Sequence, residues 1–170
     1  SFGEICDMLN SNQVGIGLAI NPDTELPQWC YKFVELLDQV IIMSVVPGKS
    51  GQKFIESTHE KTRRIAKDLR EHKFEGYIEA DGGVNLENIG ACFEDGARAF
   101  VGGSAIIGQN DVRMIIKEFR NQVLESRRRL LIKKAHDLGG TELVNSWIDL
   151  HVVGEKKDKL VQIAKELGFQ

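Results

Sequence analysis

The first two thirds of the chain alternate between short, almost continuously apolar runs and longer segments in which apolar residues recur at helical spacing. The apolar runs predict strands, because a strand covered by helices has few polar positions. They occupy residues 14–20, 39–46, 76–81 and 97–103. The intervening segments predict helices at residues 25–37, 55–72 and 86–96. This β-α-β-α order is typical of an α/β fold with a parallel sheet.

Turn-forming residues lie at the borders of these segments. Residues 21–24 and 46–51 follow strands and contain proline, glycine and short polar side chains. Asn85 is placed to cap the helix predicted from Leu86, and Gly96 falls where a helix end needs a residue that tolerates positive φ. The local chemistry therefore agrees with the segmentation.

After Gly103 the pattern changes to helices. Apolar residues at helical spacing predict one long amphipathic helix over residues 111–138, which two glycines end. Residues 141–150 and 155–167 predict two shorter helices, although residues 147–153 are equally compatible with a strand.

Composition narrows the class of protein. The 170 residues include 42% hydrophobic and 28% charged side chains and carry a net charge of −3, which is typical of one globular domain with or without an extension. Because the sequence shows no membrane-spanning run and no secretion signal, we expect a soluble cytoplasmic protein without a membrane partner. The overall charge gives no reason to expect nucleic acid. The three cysteines are widely spaced, so we expect them to be buried and unpaired.

Candidate chemistry lies at the predicted strand ends, where parallel α/β folds collect their functional groups. The loops after the last three strands are rich in glycine. Backbone N–H groups in such loops bind anions, especially where a helix follows. The loops at residues 81–85 and 101–109 are placed as the phosphate-binding loops after strands 7 and 8 of a (β/α)₈ barrel. One glycine pair alone is more often a tight turn, but the combination predicts a phosphate site.

Three segments carry a specific resemblance to a known family. They read "GIGLAINPDT", "VIIMSVVPGKSGQKF" and "IEADGGVNLENIGACFEDGARAFVGGSAI". Their order and spacing resemble the second half of the ribulose-phosphate 3-epimerase family over about residues 13–107. The resemblance implies a TIM (β/α)₈ barrel of the ribulose-phosphate-binding type, of which this chain holds about four βα units followed by C-terminal helices.

The resemblance also implies a reaction. It implies an isomerase of the pentose phosphate pathway that interconverts D-ribulose 5-phosphate and D-xylulose 5-phosphate, or a related ketose phosphate, by moving a proton at C3. Two carboxylates act as acid and base, and a divalent metal (Zn, Mn, Fe or Mg) polarises the ketone. Asp81 matches the aspartate that binds the metal and belongs to the acid/base pair. The substrate-binding positions of the family match Met43, Gly48, Gly82, Gly83, Gly103 and Ser104.

The chain departs from the family pattern. No segment corresponds to the family's first four strands, which supply a serine, the second aspartate and two metal-binding histidines. The histidines of this chain lie in helical or C-terminal segments, and we expect solvated surface residues rather than ligands at His59, His72, His136 and His151. The loop "PGKSGQ" lacks the family's aromatic residue, which bears on loop closure and substrate preference.

Four parallel strands do not close a barrel, because an open sheet leaves two edges unpaired. We favour a fragment of a longer enzyme, in which residues 1–110 are the C-terminal half of a barrel and residues 111–170 are a helical extension. A half-barrel that pairs with another copy, as a homo-oligomer, or with another chain is the second explanation. A noncatalytic relative that binds sugar phosphates or acts as a scaffold, without the metal site, is the third. The basic residues within 125–138 predict a solvated helix face.

Overall fold

The computed structural model describes residues 2–49 and 51–137. Its strands are β1 (Gly17–Ile20), β2 (Gln39–Met43), β3 (Tyr77–Asp81) and β4 (Ala97–Val101). Its helices are α1 (Phe2–Ser11), α2 (Ser57–Glu71), α3 (Ile89–Asp95), α4 (Gly103–Ile107) and α5 (Val112–Asp137). The chain groups into two compact units, Ser1–Ser126 and Arg127–Gln170. The division predicted after residue 110 stays a prediction.

The four strands form one parallel sheet in the order β1-β2-β3-β4. Each strand is therefore the spatial neighbour of the next one in the chain, as in a (β/α) barrel. The predicted α/β architecture with a parallel sheet is confirmed. Within the described residues β1 and β4 each pair with one neighbour, so the closed barrel stays a proposal.

One face of the sheet is buried in the hydrophobic core. Val40, Ile42, Ile78 and Ala80 are each at most 5% exposed, and they belong to one cluster with apolar residues of α2 and α3. Side chains alternate across a strand, so the residues between them point to the opposite face. Residues of β2 and β3 on that second face are half-buried or exposed. The sheet therefore has one sealed face and one open face.

The long C-terminal helix was predicted nearly to its ends. Helix α5 spans Val112–Asp137, against the expected residues 111–138. Phe119 is 6% exposed and joins the core, while the basic side chains at residues 127–129 are exposed, as expected for a solvated face. No helix in the described part of the chain is long and apolar enough to span a membrane. The cysteines are buried and unpaired, as predicted for Cys6, Cys30 and Cys92.

The helix predicted over residues 25–37 is wrong. Two short 3₁₀ turns, Gln28–Lys32 and Val34–Leu36, occupy this region. Pro27 has φ −63° and ψ 141°, and the residue before a proline is disfavoured in the α region, so a continuous helix cannot begin upstream of it. Cys30 and Val34 still reach the core. The helical spacing of these two residues therefore indicates that they are buried, but it does not indicate a regular α-helix.

Three further predictions fall outside the described residues. They are the helices at residues 141–150 and 155–167 and the alternative strand at residues 147–153.

Candidate functional site

Asp81, the predicted catalytic residue, lies at the carboxyl end of its strand, level with the last residues of the two neighbouring strands. Asp81 is the last residue of β3, and the strand register places it beside Met43 of β2 and Val101 of β4. Asp81 lies on the open face of the sheet and is half-buried. The structure thus brings Asp81 and Met43 together, as the sequence predicts for a strand-end site.

Ser44 ties the loop after β2 to the loop after β3. Its hydroxyl donates a hydrogen bond to the Gly82 carbonyl at 2.6 Å, and its backbone N–H donates to the Asp81 carbonyl at 2.7 Å. Ser44 is 2% exposed, so these bonds are shielded from water. The Ser44 carbonyl in turn accepts from the Ile55 N–H at 2.9 Å, just before α2. Ser44 therefore fixes the backbone around Asp81, a role that sequence reasoning missed.

The two positions after Asp81 require glycine, because their φ angles are positive and their neighbours leave no room for a side chain. Gly82 and Gly83 have φ values of +114° and +66°. A Cβ at Gly82 would lie 2.3 Å from a Val45 methyl, and a Cβ at Gly83 would lie 2.5 Å from the Phe54 nitrogen. Only glycine allows this approach without displacing the neighbours. The close packing holds the β3 loop against the segment that leads into α2.

Asn85 and Asn88 set the shape of the same loop. The Asn85 carboxamide oxygen accepts from the N–H groups of Glu87 and Asn88 at 2.8 and 3.2 Å. The Asn88 side chain donates to the Gly83 carbonyl at 3.0 Å. Asn85 therefore caps a turn rather than the helix predicted from Leu86, because the regular helix begins only at Ile89.

A cavity of about 700 Å³ opens beside these loops. Three of the predicted substrate-binding residues line it together, namely Gly83, Gly103 and Ser104. Gly103 and Ser104 begin α4, and the first N–H groups of a helix have no partner within that helix, so they are available to an anion. The other walls include Lys53 and His59. The four remaining predicted site residues are not among the lining residues: Met43, Gly48, Asp81 and Gly82.

Gly48 belongs to a separate turn in the loop after β2. The turn is closed by Gln52, whose side chain donates to the carbonyls of Val46 and Lys49 at 2.6 and 2.8 Å. Gly48 has a φ of +108° and open space around its missing Cβ. It therefore shapes the turn by its backbone rather than by packing. Ser50, in the same loop, lies outside the described residues.

His59 is not the solvated surface residue that the sequence predicted. Its side chain is 15% exposed, and its Nδ1 bonds to the carboxylate of Asp95, which is 8% exposed. Arg63 reaches the other oxygen of Asp95 at 2.9 Å. The partner lies on another helix, so local pattern could not reveal the pair. His72 is exposed as predicted, whereas the side chain of His136 and all of His151 lie outside the described part of the chain.

Glu79 shares the open face with Asp81, an orientation that the sequence leaves open because it does not fix the strand register. Burial first, and then the negative charge of Asp81, raise the pKa of Glu79, whereas a hydrogen bond from Gln39 opposes that rise. The Gln39 side chain donates to the Glu79 carboxylate at 2.7 Å. The open face therefore includes polar groups that interact with one another, unlike the sealed face.

The described residues do not fit a divalent metal by themselves. Between residues 2 and 137, apart from residue 50, no three His, Cys, Asp or Glu side chains lie close enough together to hold an ion. Asp81 offers one carboxylate, whereas metal sites need several donors. Any metal at Asp81 would need ligands from outside the described residues.

Known sequences resemble most of this region. The sequence model of the Ribulose-phosphate 3 epimerase family matches residues 4–107 of this chain. A relative named ribulose-phosphate 3-epimerase from Escherichia coli (strain K12) is 39% identical over 116 residues, which is 68% of this chain and 51% of the relative. A relative of the same name from Methanocaldococcus jannaschii is 34% identical over 118 residues, which is 69% of this chain and 50% of the relative. The chain therefore spans about half the length of these curated relatives.

Proposed function

This chain belongs to the ribulose-phosphate 3 epimerase family, and we propose from that premise that it supplies the C-terminal half of a ketose-phosphate 3-epimerase. The proposed substrates are D-ribulose 5-phosphate and D-xylulose 5-phosphate. The observation that carries the proposal is the position of Asp81, which stands at a strand end on the open face, two residues before the Gly83 backbone that lines the cavity. A carboxylate therefore lies next in the chain to the loop that we propose as the anion-binding loop.

The open sheet supports the proposal that further strands complete a barrel. The half-buried face of β2 and β3 is where the interior of a (β/α)₈ barrel would lie. Large apolar side chains are exposed in the segments next to the two edge strands, and such patches mark surfaces that another part of a protein covers. In the segments that flank β1 in the chain they are Ile5, Met8, Val14 and Trp29, and in the segments that follow β4 in the chain they are Ile107, Val112 and Met114.

Asp81 is the proposed acid/base group. Its carboxylate takes the proton from C3, which is acidified by the neighbouring ketone, and the electron pair of that C–H bond becomes an enediolate. Epimerisation then needs a proton delivered to the opposite face of C3. The family resemblance assigns that role to a second carboxylate, and among the described residues Asp81 is the only carboxylate to which it assigns a role. The second group would come from the strands that complete the barrel.

The phosphate of the substrate is proposed to bind at Gly83, Gly103 and Ser104. These residues come from two loops that line the same cavity, and the glycines at positions 83 and 103 would let an anion approach the backbone closely. Met43 and Gly82 would contact the sugar between this end and Asp81, and Gly48 would belong to the loop that covers it. For a divalent metal we propose one ligand from this chain, the carboxylate of Asp81. A cytoplasmic location and a homo-oligomeric state stay predictions.

Turnover with a matched pair of variants tests the proposal. The purified chain is incubated with D-ribulose 5-phosphate in D₂O, with and without divalent metal, and deuterium incorporation at C3 is followed by proton NMR. Asp81→Asn keeps the shape and removes the base, so it should lose at least about a hundredfold in rate. Asp7→Asn, an exposed aspartate of α1, is the control and should match the unmodified chain. Full activity of Asp81→Asn would refute the assigned role.

The noncatalytic alternative is favoured by one observation, the lack of a metal-binding group among the described residues. It predicts that the chain binds the ketose phosphate at the cavity, without dependence on metal and without exchange at C3. Failure to bind the ketose phosphate at all would contradict both functions for this chain.

A further inference from the structure

The cavity extends beyond the loops that are proposed to hold the phosphate. Its opposite wall is formed by the segment leading into α2 and by the first turn of that helix, which contribute Lys53, Phe54, Glu56 and His59. Nothing in the proposed reaction uses this wall. Of the four residues of this wall, His59 has a polar side chain that is largely buried and forms an ion pair.

The orientation of His59 is fixed from two sides. Its Nδ1 bonds to Asp95, and its ring lies 4.8 Å from the ring of Phe54, measured between centroids. A protonated imidazole donates from both nitrogens, and Asp95 accepts from one of them. The other nitrogen, Nε2, lies 3.7 Å from a Glu56 carboxylate oxygen, which is beyond hydrogen-bond distance. In the doubly protonated ring, Nε2–H is therefore available to a ligand in the cavity, which His59 lines.

We propose that His59 is an anion-binding residue of the cavity, held by Asp95 so that Nε2–H donates to the phosphate of the bound ketose phosphate. The inference rests on the proposed function, because it adds a charged donor to the same phosphate site. The oxygens of a dianionic phosphate can accept more hydrogen bonds than the three backbone N–H groups of Gly83, Gly103 and Ser104 can donate. A hydrogen bond from a charged donor is stronger than one from a backbone amide.

The surrounding charges favour this use of His59. Arg63 also pairs with Asp95, so the carboxylate of Asp95 divides its negative charge between Arg63 and His59. Lys53 adds a positive group to the same cavity. Glu56 and Glu87 oppose an anion there, but the Glu56 side chain is 83% exposed and can turn toward water. An arriving phosphate would replace Glu56 as the neighbour of Nε2.

The test measures the affinity of the whole chain for inorganic phosphate and for D-ribulose 5-phosphate by isothermal titration calorimetry. His59→Gln should raise both dissociation constants about tenfold, the value of one charge-assisted hydrogen bond. His72→Gln is the matched control, since His72 lies at the other end of α2, is exposed and is absent from the cavity lining. Its affinities should equal those of the unmodified chain.

A double-variant cycle with Glu56→Gln sharpens the test. Removing the competing carboxylate should tighten phosphate binding several-fold in the unmodified chain and by a smaller factor when His59 is already glutamine. Equal gains in both backgrounds would mean that Glu56 acts on the anion without His59 and would contradict the proposed contact.

A second measurement does not depend on how well a variant folds. In the unmodified chain, the imidazole NMR signals of His59 should shift on addition of phosphate, while those of His72 stay in place. Phosphate binding with unmoved His59 signals, or with an unchanged affinity in His59→Gln, would overturn this inference and leave the proposed function intact. Absence of any phosphate binding by the unmodified chain would instead remove the phosphate site itself, and this inference with it.

Discussion

The two faces of the same four-stranded sheet have different chemistry, although they are built from alternate residues of the same strands. On the sealed face, Ile42 and Ile78 are 1% and 5% exposed and pack with the helices. On the open face, Glu79 and Asp81 are half-buried, and Glu79 bonds to Gln39. The sealed face thus supplies stability, and the open face carries the residues of the proposed chemistry.

This division explains why the strands appear almost continuously apolar in the sequence. The open face still carries Ile41 and Met43 between its polar residues, as expected where more protein covers it. Folding of the described unit rests on one face, and the proposed function rests on the other. Substitutions on the two faces should therefore have separable effects.

The largest expected difference is in stability. Ile42→Ala removes a side chain that is 1% exposed and should lower the free energy of unfolding by roughly 2–5 kcal/mol. Ile41→Ala, its half-buried neighbour on the open face, should cost about 1 kcal/mol, because much of that side chain remains in contact with water. Urea denaturation followed by circular dichroism measures both. Equal losses would show that the open face is also part of a packed core.

The next difference is between two glycines in the loops at the carboxyl ends of the strands. Gly83→Ala forces a Cβ to within 2.5 Å of the Phe54 nitrogen at a φ of +66° and should cost about 1–3 kcal/mol. It should also abolish phosphate binding, because the β3 loop must move away from the cavity. Gly103→Ala meets nothing within 4 Å and should change stability by less than about 0.5 kcal/mol. Retained phosphate affinity in a folded Gly83→Ala chain would contradict the assignment of this loop.

The smallest expected effect concerns Cys92 in the helices that cover the sealed face. Burial, and secondarily the charge of Asp95, raise the pKa of the Cys92 thiol from 9.0 to about 12. The folded chain keeps the thiol protonated when the unfolded chain has begun to lose the proton. The stability that Cys92 contributes is therefore complete below about pH 9 and is lost as the pH rises toward 12.

The measurement compares unfolding of the unmodified chain and of Cys92→Ala at about pH 7.5 and pH 10. The unmodified chain should lose about 1 kcal/mol more than the variant between these conditions. An identical decline in both chains would mean that water reaches Cys92.

The strands and the long helices were predictable because their signals are local. Continuous apolar runs located all four strands, and helical spacing located α2 and α5 within two residues of their ends. The same spacing failed at residues 25–37, where Pro27 prevents a continuous helix while Cys30 and Val34 remain buried. Burial and helical geometry therefore coincide only where the backbone permits a helix.

The candidate site was predictable only where it lies along one stretch of chain. Asp81, Gly82 and Gly83 stand out in the sequence as a strand end followed by two glycines, and the structure explains the glycines by their positive φ and by close contacts with the Val45 side chain and the Phe54 backbone. The pair of His59 and Asp95 was not recognisable, because its members are brought together by the packing of α2 against α3. Interactions across elements need the fold before they can be seen.

The most direct test of the account maps the binding of D-ribulose 5-phosphate onto the two faces. Two-dimensional NMR of the nitrogen-15-labelled chain should show shifts in the amide signals of Gly83, Gly103 and Ser104 and of the strand ends around Asp81. Amides of the sealed face, such as Ile78, should not move. Shifts confined to the sealed face or to α5, or no shift at saturating ligand, would contradict the claim that the open face and its loops form half of a ketose-phosphate site.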